Sequence, residues 1–305
     1  MPASSQPRGV FAAALTPMNA DLSVDTERLI AHYRWLLANG CNGVAVLGTT
    51  GEANSFSVEE RLAVIDAVGA SGLPMDKLMI GTGCCALPDT IRLTKAALAA
   101  GADNVLMLPP FYYKNVSDEG VFDVFARTVE AVGEDRLRIY LYDFPQMTGV
   151  RFSLDLIDRF LDSFPGTVVG IKDSSGDIDN MRAILKRFPD FGVFAGTERY
   201  LLDILRDGGP GCISASTNLT APMAAEVYAN WQADRADALQ ESVNAVRTAI
   251  EAAPMVPGLK AMMARSSGDS VWTAMRPPLM KLSAAKAEAL AEALAATEFR
   301  FAEAA

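Results

Sequence analysis

The chain has 305 residues, 50% of them apolar and 21% charged, which is typical of one large globular domain or of one domain with an appendage. Its formal net charge of -10 and the lack of a Lys/Arg-rich run argue against a nucleic-acid partner. The first apolar run, residues 10–15, is too short for a signal peptide or a membrane span. We therefore expect a cytoplasmic protein without a membrane partner.

Histidine and cysteine usage narrows the chemistry. The only histidine, His32, falls within a helical pattern away from any strand end, which argues against a Ser-His pair and a His-ligated metal site. The cysteines have no metal-ligand spacing and are expected to be reduced thiols: Cys41, Cys84, Cys85 and Cys212. We expect no metal and no cofactor, so proton transfer must use tyrosine, lysine, carboxylates, substrate groups or water.

Short runs rich in Val, Ile and Leu alternate with amphipathic stretches of about a dozen residues, a pattern that indicates repeated βα units around a parallel sheet. Eight strands are predicted, at 9–15, 43–47, 78–81, 104–108, 138–142, 168–171, 192–195 and 211–214. Eight helices are predicted, at 26–39, 58–69, 88–100, 118–132, 153–162, 178–187, 198–207 and 221–231. Ser57 and Glu60 should form a capping box, and Gly40, Gly101 and Gly208 should end helices.

Eight βα units predict an α/β fold, a (β/α)8 TIM barrel whose active-site groups project from the C-terminal ends of the strands. A doubly wound sheet is the competing architecture, but no Gly-x-Gly-x-x-Gly follows the first strand. After the last barrel helix, only Ala-rich helices are predicted, at 234–252, 258–264 and 284–296. We predict a catalytic barrel domain over residues 8–231 and a C-terminal helical extension over residues 232–305, without a linker.

Lys172 follows the apolar run of the sixth strand, where a barrel would direct its amine towards the active site. Burial in a low-dielectric wall favours the neutral amine, which can attack a carbonyl. A lysine at a strand end is, however, more often simply ion-paired. The polar residues at the other strand ends must decide between these two interpretations.

Three other strand ends carry polar or aromatic groups. The second strand ends in Gly48-Thr49-Thr50-Gly51-Glu52, a turn whose backbone N–H groups can hold a carboxylate. The fourth strand leads to Tyr113 and the fifth ends at Tyr142. Taken alone, such a turn is most often only a turn, and a tyrosine at a strand end is more often a packed aromatic residue. A barrel would bring all of them, together with Lys172, to one pocket.

At these motifs the chain resembles the pyruvate-dependent class I aldolases and lyases, which include N-acetylneuraminate lyase, 2-keto-3-deoxygluconate aldolase and 4-hydroxy-tetrahydrodipicolinate synthase. The turn at residues 48–52 matches the family's Gly-Thr/Ser-Thr-Gly-Glu motif. Tyr142, Pro145 and Gly149 match its Tyr-x-x-Pro-x-x-x-Gly motif, and residues 170–177 match its lysine motif. The resemblance extends from residue 9 to about residue 283, and the motifs together are highly specific.

The resemblance implies that Lys172 forms an imine with the ketone of pyruvate or another 2-oxo acid, and that the imine stabilises a carbanion at the neighbouring carbon. It implies that Tyr142 moves the proton and that Thr49 links it to Tyr113, which reaches into the adjacent subunit. It also implies a homotetramer, a dimer of dimers. The implied catalytic residues are thus Lys172, Tyr142, Thr49 and Tyr113.

The resemblance also implies a set of substrate-binding positions. Thr50 and the backbone of its turn would hold the carboxylate of the 2-oxo acid. The full set is Gly48, Thr50, Gly51, Ser174, Gly196 and Ile213. For Gly196 and Ile213, close packing is at least as good an interpretation as contact with the substrate.

Departures from the patterns of individual branches bear on the second substrate. Met147 occupies the position where the dipicolinate branch has an arginine for the aldehyde's carboxylate, and methionine cannot form that ion pair. Ser174 resembles a hydroxyl-bearing residue of the sugar-acid aldolases, whereas Ala215 replaces a serine of the sialic acid lyases. These departures favour cleavage of a 2-keto-3-deoxy sugar acid, or a related hydroxylated compound, to pyruvate and an aldehyde.

Three alternatives stay open from the sequence. The first is 4-hydroxy-tetrahydrodipicolinate synthase, which joins pyruvate to aspartate semialdehyde. The second is a dehydratase or deaminase that uses the same lysine. The third is a barrel that only binds a 2-oxo acid, as a sensor or scaffold, and the intact set of Lys172, Tyr142 and Tyr113 argues against it.

Overall fold

Eight parallel strands close into a barrel in chain order in a computed structural model, which describes residues 6–301. The strands are β1 Gly9–Ala13, β2 Gly43–Val46, β3 Leu78–Gly81, β4 Asn104–Met107, β5 Arg138–Asp143, β6 Val168–Asp173, β7 Gly192–Ala195 and β8 Gly211–Ser214. The barrel closes because β1 pairs with both β2 and β8. The predicted (β/α)8 TIM barrel is confirmed, and all eight predicted strands are present.

Helices connect the strands and cover the outside of the barrel. The connecting helices are α1 Thr26–Ala38, α2 Val58–Ala70, α3 Leu87–Ala99, α4 Asp118–Val132, α5 Pro145–Thr148, α6 Leu154–Ser163, α7 Ile178–Arg187 and α8 Leu201–Arg206. Those after β8 are α9 Thr217–Ala229, α10 Ala236–Glu251, α11 Met255–Ser267 and α12 Ala284–Ala295. The one-turn helix α5 is absent from the predicted helices, because a segment of four residues is too short to show the hydrophobic periodicity of a helix. The predicted helix at 198–207 is a 3₁₀ turn, Glu198–Tyr200, followed by α8.

The helix boundaries follow local capping chemistry. The predicted capping box of α2 is present, with Ser57 and Glu60 each bonded to the other's backbone. Gly101, just after α3, has a φ of +96°, a backbone conformation that glycine adopts at little cost. The chain can therefore turn sharply from α3 into β4.

The barrel interior is filled by side chains that alternate along the strands. The β5–β6 register pairs Tyr140 with Gly170 and Tyr142 with Lys172. The Tyr140 ring fills the space beside Gly170, where an added Cβ would lie 2.5 Å from the ring. Lys172 lies two residues further along the same face, so its amine is directed towards the C-terminal mouth of the barrel.

The helices after the barrel share an apolar core with it. This core joins α10, α11 and α12 to the end of β1 and to α9, and it contains Leu15, Leu219, Val246, Ile250, Leu259, Met262, Leu290 and Leu294. The division into domains at residues 231 and 232 stays a prediction. Within the described part of the chain, no helix is both long enough and apolar enough to cross a membrane.

A fully buried ion pair connects the extension to the motif turn after β2. Lys260 Nζ of α11 lies 2.5 Å from Glu52 Oε1 and donates a hydrogen bond to the carbonyl of Ala274 at 2.7 Å. Burial lowers the pKa of Lys260, and the Glu52 carboxylate opposes this shift. The Glu52 side chain also accepts a hydrogen bond from the backbone of Arg276. The shape of the turn therefore depends on residues about 200 positions away.

Removal of one charge of this pair should be strongly destabilising, because the other charge would stay buried without a partner. We expect Glu52→Gln or Lys260→Met to lower the free energy of unfolding by about 3 kcal/mol or more. The exposed pair Arg265–Glu288 is the control, and Glu288→Gln should cost less than about 1 kcal/mol. Denaturant titration measures both. A Glu52→Gln/Lys260→Met double variant that loses the full sum of the single losses would contradict the pairing.

Candidate active site

Lys172 and Tyr142 face each other at the C-terminal mouth of the barrel. Lys172 Nζ donates a hydrogen bond to Tyr142 Oη at 3.2 Å and lies 4.3 Å from the centre of the phenol ring. The lysine is only 3% exposed, and no carboxylate among residues 6–301 forms an ion pair with it. The alternative of a salt-bridged lysine therefore does not describe this residue. The amine has instead a proton-carrying group as its neighbour.

The motif turn after β2 adds a second hydroxyl to this pair. Thr49 Oγ1 lies 3.4 Å from Tyr142 Oη, so Thr49, Tyr142 and Lys172 form a continuous hydrogen-bonded row. A hydrogen bond from the segment after β1 holds the turn in place: Thr16 Oγ1 donates to the carbonyl of Gly51 at 2.8 Å. A Cβ on Gly51 would approach the carbonyl of Ala14 to 3.0 Å, which explains the small residue.

The row opens into a cavity of about 530 Å³. Six of the predicted site residues line it: Thr49, Thr50, Tyr142, Lys172, Ser174 and Gly196. A Cβ on Gly196 would lie 2.1 Å from Ser174 Oγ, so the glycine leaves room for that hydroxyl. The volume is typical of a small-molecule site and exceeds what pyruvate alone would fill.

Four predicted site residues lie outside this cavity. Ile213 is fully buried among the side chains of the barrel interior, which favours the close-packing interpretation for it. Gly48 lines a small neighbouring cavity together with Arg61, and the carbonyl of Gly51 is held by Thr16. Tyr113 is 75% exposed to solvent. A role of Tyr113 in catalysis therefore needs a second subunit and stays a proposal.

Several polar or charged residues of the cavity were not predicted from the sequence. They are Gln146, Ser175, Thr197, Arg199, Tyr200, Arg247 and Glu251. Arg247 and Glu251 belong to α10, far along the chain from any strand end, so no motif indicated them. Arg199 lies on the 3₁₀ turn after β7, and its place three residues after Gly196 was the one available clue.

Arg247 is held by a buried carboxylate behind the cavity wall. Its Nη1 donates to Glu198 at 3.1 Å and to Ser216 at 2.8 Å. Burial alone would raise the pKa of Glu198, but the Arg247 guanidinium and the hydroxyls of Ser214 and Ser216 outweigh it, so this pKa is below its usual value. Glu198 thus stays charged and fixes the arginine. Among the described residues, no group of three His, Cys, Asp or Glu side chains is placed to hold a metal ion.

Two carboxylates lie directly behind the reactive pair, on the outer face of the barrel. Asp143 and Asp173 are opposite each other in the β5–β6 register. Burial, and then the charge of Asp173, raise the pKa of Asp143 to about 7, although Arg151 opposes the shift. Asp173 accepts hydrogen bonds from Ser175 and Asn180. A proton on Asp143 therefore relieves repulsion at the ends of the two strands that carry Tyr142 and Lys172.

This proton makes stability depend on pH. Asp143 titrates near pH 4 in the unfolded chain and near pH 7 in the fold, so its contribution to stability falls as the pH rises through this range and stays lost above it. The loss is at most about 4 kcal/mol. Asp143→Asn removes the titration, so the melting temperature of the variant should fall less between about pH 5 and about pH 8 than that of the parent protein. Exposed Asp190→Asn is the control, and equal pH profiles for all three proteins would refute the assignment.

A TIM barrel with a buried lysine and a neighbouring tyrosine at its C-terminal mouth is the framework of a class I carbon–carbon lyase. The model of the dihydrodipicolinate synthetase family matches residues 6–297. The chain belongs to this family, and it is an enzyme of the class I, pyruvate-dependent type.

Individual relatives agree with this membership. The chain is 36% identical over 288 residues to an uncharacterised DapA-like lyase of Chloroflexus aurantiacus, covering 94% of this chain and 95% of that protein. It is 33% identical to a 4-hydroxy-tetrahydrodipicolinate synthase of Hydrogenobaculum sp., over 69% of this chain and 71% of the relative. The crystal structure of dihydrodipicolinate synthase from Agrobacterium tumefaciens superimposes with a TM-score of 0.88 at 32% identity, covering 95% and 99% of the two chains.

Proposed function

We propose that the protein is a Schiff-base aldolase that cleaves or forms the bond between C3 and C4 of a 2-oxo acid, with Lys172 as the imine-forming residue. One observation carries the proposal. The Lys172 amine is buried, has no carboxylate partner among the described residues, lies 3.2 Å from the Tyr142 hydroxyl and opens into a cavity that exceeds pyruvate in size.

The chemistry follows from this placement. The Lys172 amine adds to the ketone and water leaves, which gives a protonated imine. The imine takes up the electron pair of the breaking C3–C4 bond while the C4 hydroxyl loses its proton, and an aldehyde departs. Tyr142 Oη, 3.2 Å from Lys172 Nζ and 3.4 Å from Thr49 Oγ1, is placed to carry this proton. Protonation of the enamine and hydrolysis of the imine then release pyruvate.

The cavity wall supports a hydroxylated substrate. Ser174, Gln146 and Thr197 line it, and their hydroxyl and amide groups can donate to and accept from substrate hydroxyls, whereas the Ser175 hydroxyl already donates to Asp173. Met147 is also at the cavity, where it is 60% exposed and offers no charge. We therefore infer a 2-keto-3-deoxy sugar acid, or a related compound, as the substrate.

The second candidate is 4-hydroxy-tetrahydrodipicolinate synthase, which the names of several curated relatives favour. Incubation with pyruvate and aspartate semialdehyde separates the two functions. A dehydratase or deaminase would consume the sugar acid without releasing pyruvate. The proposed role of Tyr113, exposed on one protomer, requires that a second subunit cover it, in keeping with the inferred dimer of dimers.

The imine itself is directly testable. Borohydride reduction in the presence of pyruvate should add the mass of the reduced adduct to the peptide that contains Lys172, because reduction converts the imine into a stable amine. Lys172→Ala should give no adduct and no turnover, whereas Lys95→Ala, on the exposed face of α3, should behave like the parent enzyme. Substantial activity of Lys172→Ala would refute the covalent mechanism. A parent protein without the adduct would be a binding protein rather than a lyase.

The role of Tyr142 can be separated from that of the lysine. Tyr142→Phe removes the hydroxyl that contacts Lys172 and Thr49, so kcat should fall by roughly 10²–10⁴-fold. Tyr140→Phe, two residues earlier on β5, is the matched control, because the Tyr140 hydroxyl has no hydrogen-bond partner among the described residues. Steady-state rates with equal enzyme concentrations measure both. Equal losses in the two variants would mean that the strand tolerates neither change and that Tyr142 has no special role.

A further inference from the structure

Three charged residues that no family motif covers lie in the cavity wall. Arg199 lies on the 3₁₀ turn after β7, and Glu251 and Arg247 lie on α10. All three line the cavity that contains Lys172. Because one cavity holds both the lysine and this wall, a substrate bound to Lys172 can extend towards it.

In this wall the carboxylate oxygens are already hydrogen-bonded, whereas some arginine N–H groups are not. Glu251 Oε1 accepts from Arg247 Nε at 2.7 Å, and Glu251 Oε2 accepts from Arg199 Nη2 at 2.7 Å. Both carboxylate oxygens are therefore already engaged by arginines. Glu198, the other carboxylate of the cluster, is fully buried and faces Arg247 and hydroxyl groups. Both carboxylates of this wall are thus already bonded to arginines.

Arg199 differs from Arg247 in how much of its guanidinium stays available. The Arg247 side chain is 11% exposed and is enclosed by Glu198, Glu251 and Ser216. The Arg199 side chain is 33% exposed, and its contacts, to Glu251 and Thr248, both use Nη2. Among residues 6–301 no acceptor is bonded to its Nε or Nη1. The N–H groups of these two nitrogens can each donate a charge-assisted hydrogen bond to a carboxylate oxygen.

We propose that Arg199 is a specificity-determining residue that binds a carboxylate at the far end of the substrate, so that the substrate is a dicarboxylic 2-oxo acid of the 3-deoxy sugar-diacid type. This inference rests on the proposed imine chemistry at Lys172. The near carboxylate is held at the Thr50 turn and the far one at Arg199. The absence of a charge at Met147 is then explained, because the receptor for the second acid group lies after β7 instead of after β5.

Two aldehydes that differ in one group test this assignment. Tartronate semialdehyde carries a carboxylate where glyceraldehyde carries a hydroxymethyl group, and each would condense with pyruvate to a six-carbon 2-oxo acid. The parent enzyme should have the higher kcat/KM for the acid aldehyde. Arg199→Leu should lower this kcat/KM by roughly tenfold or more, mainly through KM, because a charge-assisted pair is lost, and should leave glyceraldehyde nearly unchanged. Arg199→Lys should recover part of the loss.

Two further variants distinguish recognition from a structural effect. Arg206→Leu is the matched control, because Arg206 also pairs with α10, through Asp237, but lies outside the cavity. It should change neither aldehyde's kinetics. Glu251→Gln removes the carboxylate that competes for Arg199, so it should raise kcat/KM for tartronate semialdehyde, the opposite sign to Arg199→Leu. Destabilisation of the fold cannot produce that gain.

Pyruvate trapping by borohydride in each variant separates this inference from the proposed function. If the parent enzyme traps no pyruvate, the imine mechanism fails and this assignment falls with it. If trapping is intact but Arg199→Leu lowers both aldehydes equally, Arg199 is not the receptor. The inference is equally overturned if the trapping-competent parent prefers glyceraldehyde or condenses with neither aldehyde.

Discussion

The register between β5 and β6 is the constraint on which the site depends. In a closed barrel the strands cannot slip past each other without turning every side chain to the wrong face. The β5–β6 register is irregular between Ile139, which pairs with Val168, and Tyr140, which pairs with Gly170. From this point on the Tyr140 ring occupies the space of the side chain that Gly170 lacks. The same register places the Tyr142 hydroxyl beside the Lys172 amine. The short distance between the Tyr142 hydroxyl and the Lys172 amine thus follows from the packing of Tyr140 against Gly170, two residues earlier on the same strands.

Much of this arrangement could be predicted from the sequence, because strand–helix alternation and capping are local. The eight strands and the capping box at Ser57 depend on neighbouring residues only. The residues brought in from α10 could not be predicted in this way, since Arg247 and Glu251 lie on an ordinary amphipathic helix with no motif. The same holds for the Glu52–Lys260 pair, whose partners are about 200 residues apart. An ion pair between residues far apart in the chain has no recognisable pattern in the sequence around either partner.

The lysine row and the charged part of the cavity wall belong to different layers of the molecule. The row of Thr49, Tyr142 and Lys172 is built on strand ends and a short turn, which the barrel fixes rigidly. The charged part of the cavity wall lies on the 3₁₀ turn after β7 and on α10. Such a separation lets the imine chemistry stay constant while the far wall changes, as is common for TIM-barrel enzymes.

The buried contact between Lys260 and Glu52 gives the C-terminal helices a part in forming the site. A chain cut after α9 would leave the Glu52 carboxylate without its countercharge, and it would also lack Arg247 and Glu251 in the cavity wall. Replacing the C-terminal helices with those of a relative would therefore alter the site. A chimera that joins this barrel to foreign helices must keep a cation at the place of Lys260, or the turn after β2 would lose its support.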